Sequence, residues 1–223
     1  LRILAHLRNT LVMMLESPTL PPARDRRVRR SRAVLMAAAV TLVSERGTAD
    51  VPVAEIADTA DVSRRLVYQQ FHDRETLLLE AALDLARREL LPRITEDWSS
   101  EGAVSAKALA LAEHMASHRR FYRALYTSPC GFAMSKALNS LFLPVNRQAV
   151  CDTYGRQIDE RTTEDIAAFL TGGWGDFVRA WVVEDPDPLD PHEFTSRLVH
   201  IASMVLPQGR PTSATFKGAD DGN

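Results

Sequence analysis

Arg64, Arg65, Tyr68 and Gln69 stand within six residues, in the stretch VAEIADTADVSRRLVYQQFHDRETLLL (Val53–Leu79). Their side chains suit the recognition of nucleic acid. An arginine fork matches guanine O6 and N7, and a glutamine amide matches adenine or a phosphate oxygen. A tyrosine hydroxyl donates well to a phosphate. Ser63 stands immediately before them, with His72 and Arg74 immediately after. A helix N-terminus with a cation beside it can hold one phosphate, so His72 and Arg74 join the set.

Such residues act only if something rigid presents them. Ile56, Ala57 and Ala60 put small and apolar groups on one side of a short helix, and Asp61-Val62-Ser63 breaks it. Ser63 can cap a second helix, Arg64–Gln70, whose Leu66 and Val67 face inward, with Phe71 joining them in the core. A close helix crossing, a tight turn and a polar outer face make a helix-turn-helix. Asp73 is placed to cap a further helix carrying Leu77, Leu78, Leu79, Leu83 and Leu90 toward a stop at Pro92. Upstream, a helix from about Val28 to Arg46 has the inner stripe Leu35, Ala38, Ala39, Leu42 and Val43. Gly47 is its C-terminal cap, and Pro52 starts the next helix.

Val62-Ser63, Tyr68, Phe71, Arg74-Glu75 and Leu77-Leu78 resemble the signature of the tetracycline-repressor-like (TetR) family, and Ala38–Ala57 is similar to that family's first helix, glycine stop and start of the second helix. The motif covers about a fifth of the chain. The resemblance implies an all-α protein with an N-terminal three-helix helix-turn-helix domain and a C-terminal helical ligand-binding and dimerisation domain. It also implies a transcriptional regulator, most simply a repressor, released from an operator by a small molecule. Three departures stand out. Asp61 occupies the usual glycine of the turn, where aspartate tolerates left-handed φ better than most residues. Thr48 replaces an aromatic. Val51-Pro52 replaces a Thr or Ser that caps the second helix and touches phosphate.

The chain has 223 residues, a formal net charge of -2 and a hydrophobic fraction of 45%. These values suit a globular protein with a sizeable core. The charge is unevenly spread. Arg24, Arg26, Arg27, Arg29, Arg30 and Arg32 crowd one short segment, while Asp159, Glu160, Glu164, Asp165, Glu184, Asp185 and Asp187 lie later. A basic arm before an acidic body is the pattern of a DNA-binding head, and a flexible arm could track the minor groove. Cys130 and Cys151 have no metal-like spacing and no disulfide framework, and no segment reaches the ~20 apolar residues of a membrane span. A reduced, cytoplasmic protein is expected.

Four segments emerge from these shifts: an N-terminal extension (1–23, with Leu4, Leu7 and Leu11 on one helical face), the head (24–75), the ligand-sensing and dimerisation body (76–206), and a disordered tail (207–223). The body reads as helices over 104–117, 118–127, 134–154 with a kink at Pro144, 163–183 and 191–206. Leu170, Trp174, Phe177 and Trp181 form one stripe, and Phe194, Leu198, Ile201 and Val205 another. Two such helices from each chain would make a four-helix dimer interface. Close helix approach is the expected reason for Gly172 and Gly173. Mixed aromatic and polar residues nominate an effector pocket with His114, Tyr122, Tyr126, Phe142, Asn146 and Trp174.

His114 and His118, at i and i+4, could bind zinc on one helix face. No third ligand stands at matching spacing and there is no H-E-x-x-H pattern, so exposed histidines and no metal are expected. No nucleophile elbow, phosphate-cradling loop or paired-carboxylate arrangement points to catalysis, and no cofactor is implied. The expected partners are double-stranded operator DNA, a small-molecule effector and a second copy of the chain, without a membrane. The alternative classes are an α-helical metal- or ligand-binding enzyme without DNA binding, and a helical adaptor.

Overall fold

The structure is a computed structural model that describes residues 23–95 and 102–205. The expected N-terminal helix face and the 207–223 tail lie outside the described residues. Helices α1 (Ala23–Arg46), α2 (Val53–Thr59) and α3 (Arg64–Phe71) form the head. Next come α4 (Arg74–Leu85), a π turn (Ala86–Leu90) and the short α5 (Leu91–Thr95). The body adds α6 (Ala103–Ser117), α7 (Arg119–Tyr126), α8 (Gly131–Tyr154), α9 (Glu160–Glu184) and α10 (Pro191–Val205). Among the described residues there is no strand, and no helix is long and apolar enough to cross a membrane.

Local chemistry sets the ends of the head helices. The amide of Gly47 donates to the Val43 carbonyl, and Gly47 takes the positive φ of a helix stop. Asp61 has φ 51°, so aspartate does fill the left-handed turn position. The Ser63 hydroxyl accepts from the Leu66 amide at 3.3 Å, and Asp73 Oδ1 accepts from the Thr76 amide at 2.7 Å. That amide bond holds the Asp73 carboxyl below its ordinary range, because it favours the anion.

Leu35, Ala39, Val43, Ile56, Ala57, Val67 and Phe71 close the core of the head, and α4 packs against α1. The same apolar core continues through Leu78 and Leu85 into the body, to Met115, Phe121, Leu125, Trp181 and Phe194. Head and body thus share α4, and α1 also packs on α7. Arg120 of α7 donates to the Glu45 carbonyl at the end of α1, at 2.6 Å.

Three elements differ from the sequence expectation. Residues 23–27 are not an extended arm, because α1 starts at Ala23 rather than near Val28. Arg32 is drawn inward: it donates to the Gln70 carbonyl at 2.6 Å and stacks 4.2 Å from the Phe71 ring centre. Pro92 does not stop the chain's helical course, because the backbone widens just before it. The Leu91 amide reaches back five residues to Ala86, which accommodates a ring that would crowd an ordinary α-turn. Pro144 lies inside α8, which runs as one helix from Gly131 to Tyr154.

The apolar stripes of α9 and α10 are largely consumed within the chain. Trp181 stacks on Phe194 with ring centres 4.0 Å apart, and Phe177 stacks on Phe194 at 5.1 Å. Leu170 and Leu198 are buried, and α10 lies along α6. Exposed apolar side chains remain on α8 and α9, where Phe132 and Phe169 are 83% and 73% exposed, and at the end of α10, where Met204 and Val205 are exposed. Among the described residues, nothing approaches the space a Cβ would take at Gly172 or Gly173, so neither serves a close contact there. Gly175 does: its added Cβ would meet Asn139 Oδ1.

Candidate functional site

Helix α3 has two faces. Val67 and Phe71 are fully buried, which turns Arg64, Arg65, Tyr68 and Gln69 outward. Tyr68 is 54% exposed, an unusual position for an aromatic ring unless a partner covers it. Ser63 and His72 are exposed at the two ends of the same helix. His72 has φ 64°, a left-handed conformation that ends α3 and releases the chain into α4. Arg74 departs from the group: it is half-buried and paired with Asp50 at 2.5 Å. The structure therefore brings together six of the seven residues nominated for DNA contact and ties the seventh to the α1–α2 loop.

Arg26, Arg27, Arg29 and Arg30 are exposed on the first turns of α1. Cations there oppose the helix dipole, at a cost of about 0.3–1 kcal/mol each near the terminus. Helix stability does not explain that placement, whereas an external polyanion would.

In the body, a cavity of about 180 Å³ lies between α6, α8, α9 and α10. Tyr126, Phe142, Asn146 and Trp174 line it, as nominated, with Met115 and Leu138 among the apolar residues beside them. Asn146 Nδ2 donates to Thr171 Oγ1 at 2.8 Å, and Thr171 donates to the Ala167 carbonyl at 2.7 Å. This chain of hydrogen bonds fixes the polar corner of an otherwise apolar chamber. Burial pushes the Tyr126 phenol up to about 12, so its hydroxyl stays protonated. Lys107, Asn139 and Thr171 are lining residues that the sequence did not single out. Lys107 lies in an alanine-rich helix and would pass as a surface charge.

His114 and Tyr122 are not in this lining. Both are buried, and His114 Nε2 lies 2.9 Å from the Tyr122 hydroxyl. His114 is thus not the exposed histidine expected from the sequence. Burial, aided by neighbouring His118, pushes its pKa down to about 4 and leaves the ring neutral.

A two-faced recognition helix behind a tight turn, with cations at an adjacent helix start, defines a helix-turn-helix DNA-binding protein. Residues 35–81 match the family described as bacterial regulatory proteins, tetR family. That match spans the head from α1 into α4, so this part of the chain is similar to the family's DNA-binding domain. Its fold is similar to that of a protein from Rhodococcus sp. assigned to the TetR-family transcriptional regulators, with a TM-score of 0.59 and 19% identity, over 80% of this chain and 99% of that one. It is also similar to the TetR family repressor AlkX from Dietzia sp. strain DQ12-45-1b, implicated in biodegradation of n-alkanes, with a TM-score of 0.55 and 20% identity, over 77% and 94% of the two chains. A comparison with curated proteins returned no match.

Proposed function

We propose that the chain is a homodimeric, ligand-released repressor, with residues 24–75 reading the operator and 76–206 sensing the effector and forming the dimer. The observation that carries the DNA half is α3 itself, whose buried Val67 and Phe71 leave Arg64, Arg65, Tyr68 and Gln69 free for the major groove. Ser63, His72 and the exposed arginines of α1 supply phosphate contacts, which position without specifying. Arg74 contributes through Asp50 and the shape of the loop rather than through DNA.

The dimer forms across α8 and α9 rather than across the α9–α10 pair expected from periodicity. Support comes from the exposed rings of Phe132 and Phe169 and from the open space over Gly172 and Gly173, into which a partner helix can settle. Two-fold symmetry then pairs two recognition helices on a palindromic site.

The effector is small and mainly apolar, with one polar group directed to Asn146 and Thr171. The cavity lining supports that chemistry. The effector must prefer one arrangement of the body over another, since only differential binding shifts an equilibrium. α8 carries Phe142 and Asn146 and packs against α4, which enters the head, so the cavity and α3 share a short mechanical route.

Selection of binding sites from fragmented genomic DNA tests the whole reading. The expected product is a palindrome whose half-sites lie about one helical turn or a multiple of it apart, bound by a dimer and released by apolar compounds with one polar end. Recovery of no enriched sequence would overturn it.

A further inference from the structure

His114 and His118 lack a third ligand in their own segment of sequence, and the fold supplies one. Glu89, from the π turn after α4, places its carboxylate against both rings. His118 Nε2 lies 2.7 Å from Glu89 Oε2, and His114 Nδ1 lies 3.8 Å from the same oxygen. The donor atoms of the three residues all lie within 4.8 Å of one another. We propose that Glu89, His114 and His118 form a binding site for a divalent transition metal of the zinc class, separate from the effector cavity.

Four features support this assignment. First, two imidazole nitrogens and one carboxylate oxygen are the ligand set of a three-protein-ligand zinc site, with water at the fourth position. Zinc bonds of about 2.0–2.2 Å give a tetrahedron with edges of roughly 3.3 Å, so closure needs side-chain movements of about an ångström. Second, the site is graded in exposure. His114 is buried, His118 is partly exposed and Glu89 is 40% exposed, which gives a metal a fixed floor and an open entrance. Third, His114 already has an outer partner. With its proton on Nε2 donated to the Tyr122 hydroxyl, Nδ1 is left as a lone pair toward Glu89, and such outer hydrogen bonds orient metal-binding histidines. Fourth, the π turn sets the register: one extra residue in a turn rotates the next residues by about 100° relative to an unbroken helix.

The surrounding charges permit a cation. Arg93 is paired with Glu113 and Arg88 with Asp84, although Arg88 also lies 3.8 Å from Glu89 Oε1. A metal here would clip the continuation of α4, which starts in the head, to the α6–α7 junction of the body.

Calorimetric titration of metal-stripped full-length chain with zinc chloride tests the site without DNA or effector. The expected result is one zinc per chain. His118→Ala and Glu89→Gln should each lower affinity by about a hundredfold, and Tyr122→Phe by roughly tenfold. His192→Ala should leave affinity unchanged. His118 and Glu89 are chosen because they are not buried, and a circular-dichroism melt establishes that each variant is folded. Bound cobalt should show ligand-field bands of a nitrogen and oxygen site without thiolate charge transfer. Absence of stoichiometric zinc binding overturns the proposal, as does wild-type affinity in folded His118→Ala and Glu89→Gln.

Discussion

The head and the body use their informative residues in opposite ways. In the head, α3 buries two side chains and exposes the polar residues around them, so its chemistry faces solvent and bears little of the fold. In the body, Tyr126, Asn146 and Thr171 meet inside a chamber, and Arg119 is buried at the end of α9. Function and stability are therefore separable in the head and entangled in the body. Substitutions that remove reading residues should spare the fold, whereas polar substitutions in the body should be felt first as lost stability.

The sharpest break should come at Arg119. Its Nε donates to the Val182 carbonyl at 3.1 Å, one terminal nitrogen pairs with Asp187 at 2.8 Å and the other donates to the Asp185 carbonyl. One side chain thus satisfies carbonyls at the C-terminus of α9 that have no helical partner. Arg119→Met should lower unfolding free energy by about 2–3 kcal/mol, read from a denaturant midpoint, because it strands the buried Val182 carbonyl and the part-buried Asp185 carbonyl. A midpoint equal to wild type would show that these carbonyls find water instead.

A comparable or smaller loss is expected at Gly131, the first residue of α8. A Cβ there would sit 2.4 Å from the Tyr126 carbonyl oxygen, a backbone atom that cannot rotate away. Gly131→Ala should cost about 1–3 kcal/mol by overpacking, measured as a lowered melting temperature. The head offers a smaller effect. Asp61 holds φ 51° at an exposed turn position, so Asp61→Gly relieves a left-handed residue. It should change stability by less than about 1 kcal/mol, in the favourable direction if strain relief exceeds the added unfolded-state entropy. A loss of more than that would mean that the Asp61 side chain does something besides tolerate the turn.

The same contrast explains what could be read in the sequence. The helix-turn-helix is encoded in short spacings: Ser63 three residues before Leu66, Asp73 three before Thr76, and Val67 four before Phe71. Each is a local constraint that a linear pattern records. The body is assembled from partners far apart. Glu89 meets His118 across 29 residues, and Arg119 meets Asp185 across 66. Periodicity correctly marked Trp181 and Phe194 as apolar positions. It did not say what would cover them, and within the chain each stacks on the other. The arginine-rich segment misled for a related reason: composition records charge, not the helix that orders it, and Arg32 shows how one member can fold back over Phe71 to cap α3.

Fluorescence anisotropy on the selected operator, comparing wild type with Arg65→Ala/Tyr68→Ala at two salt concentrations, tests the central claim most directly. The account predicts tight, salt-sensitive binding by wild type, since each neutralised phosphate releases counterions. It predicts a loss of about 1–3 kcal/mol or more for the double variant, roughly tenfold to a hundredfold or greater, with a melting temperature close to wild type. Equal affinity of both proteins for operator and scrambled DNA would contradict it, because α3 would then not be the element that reads.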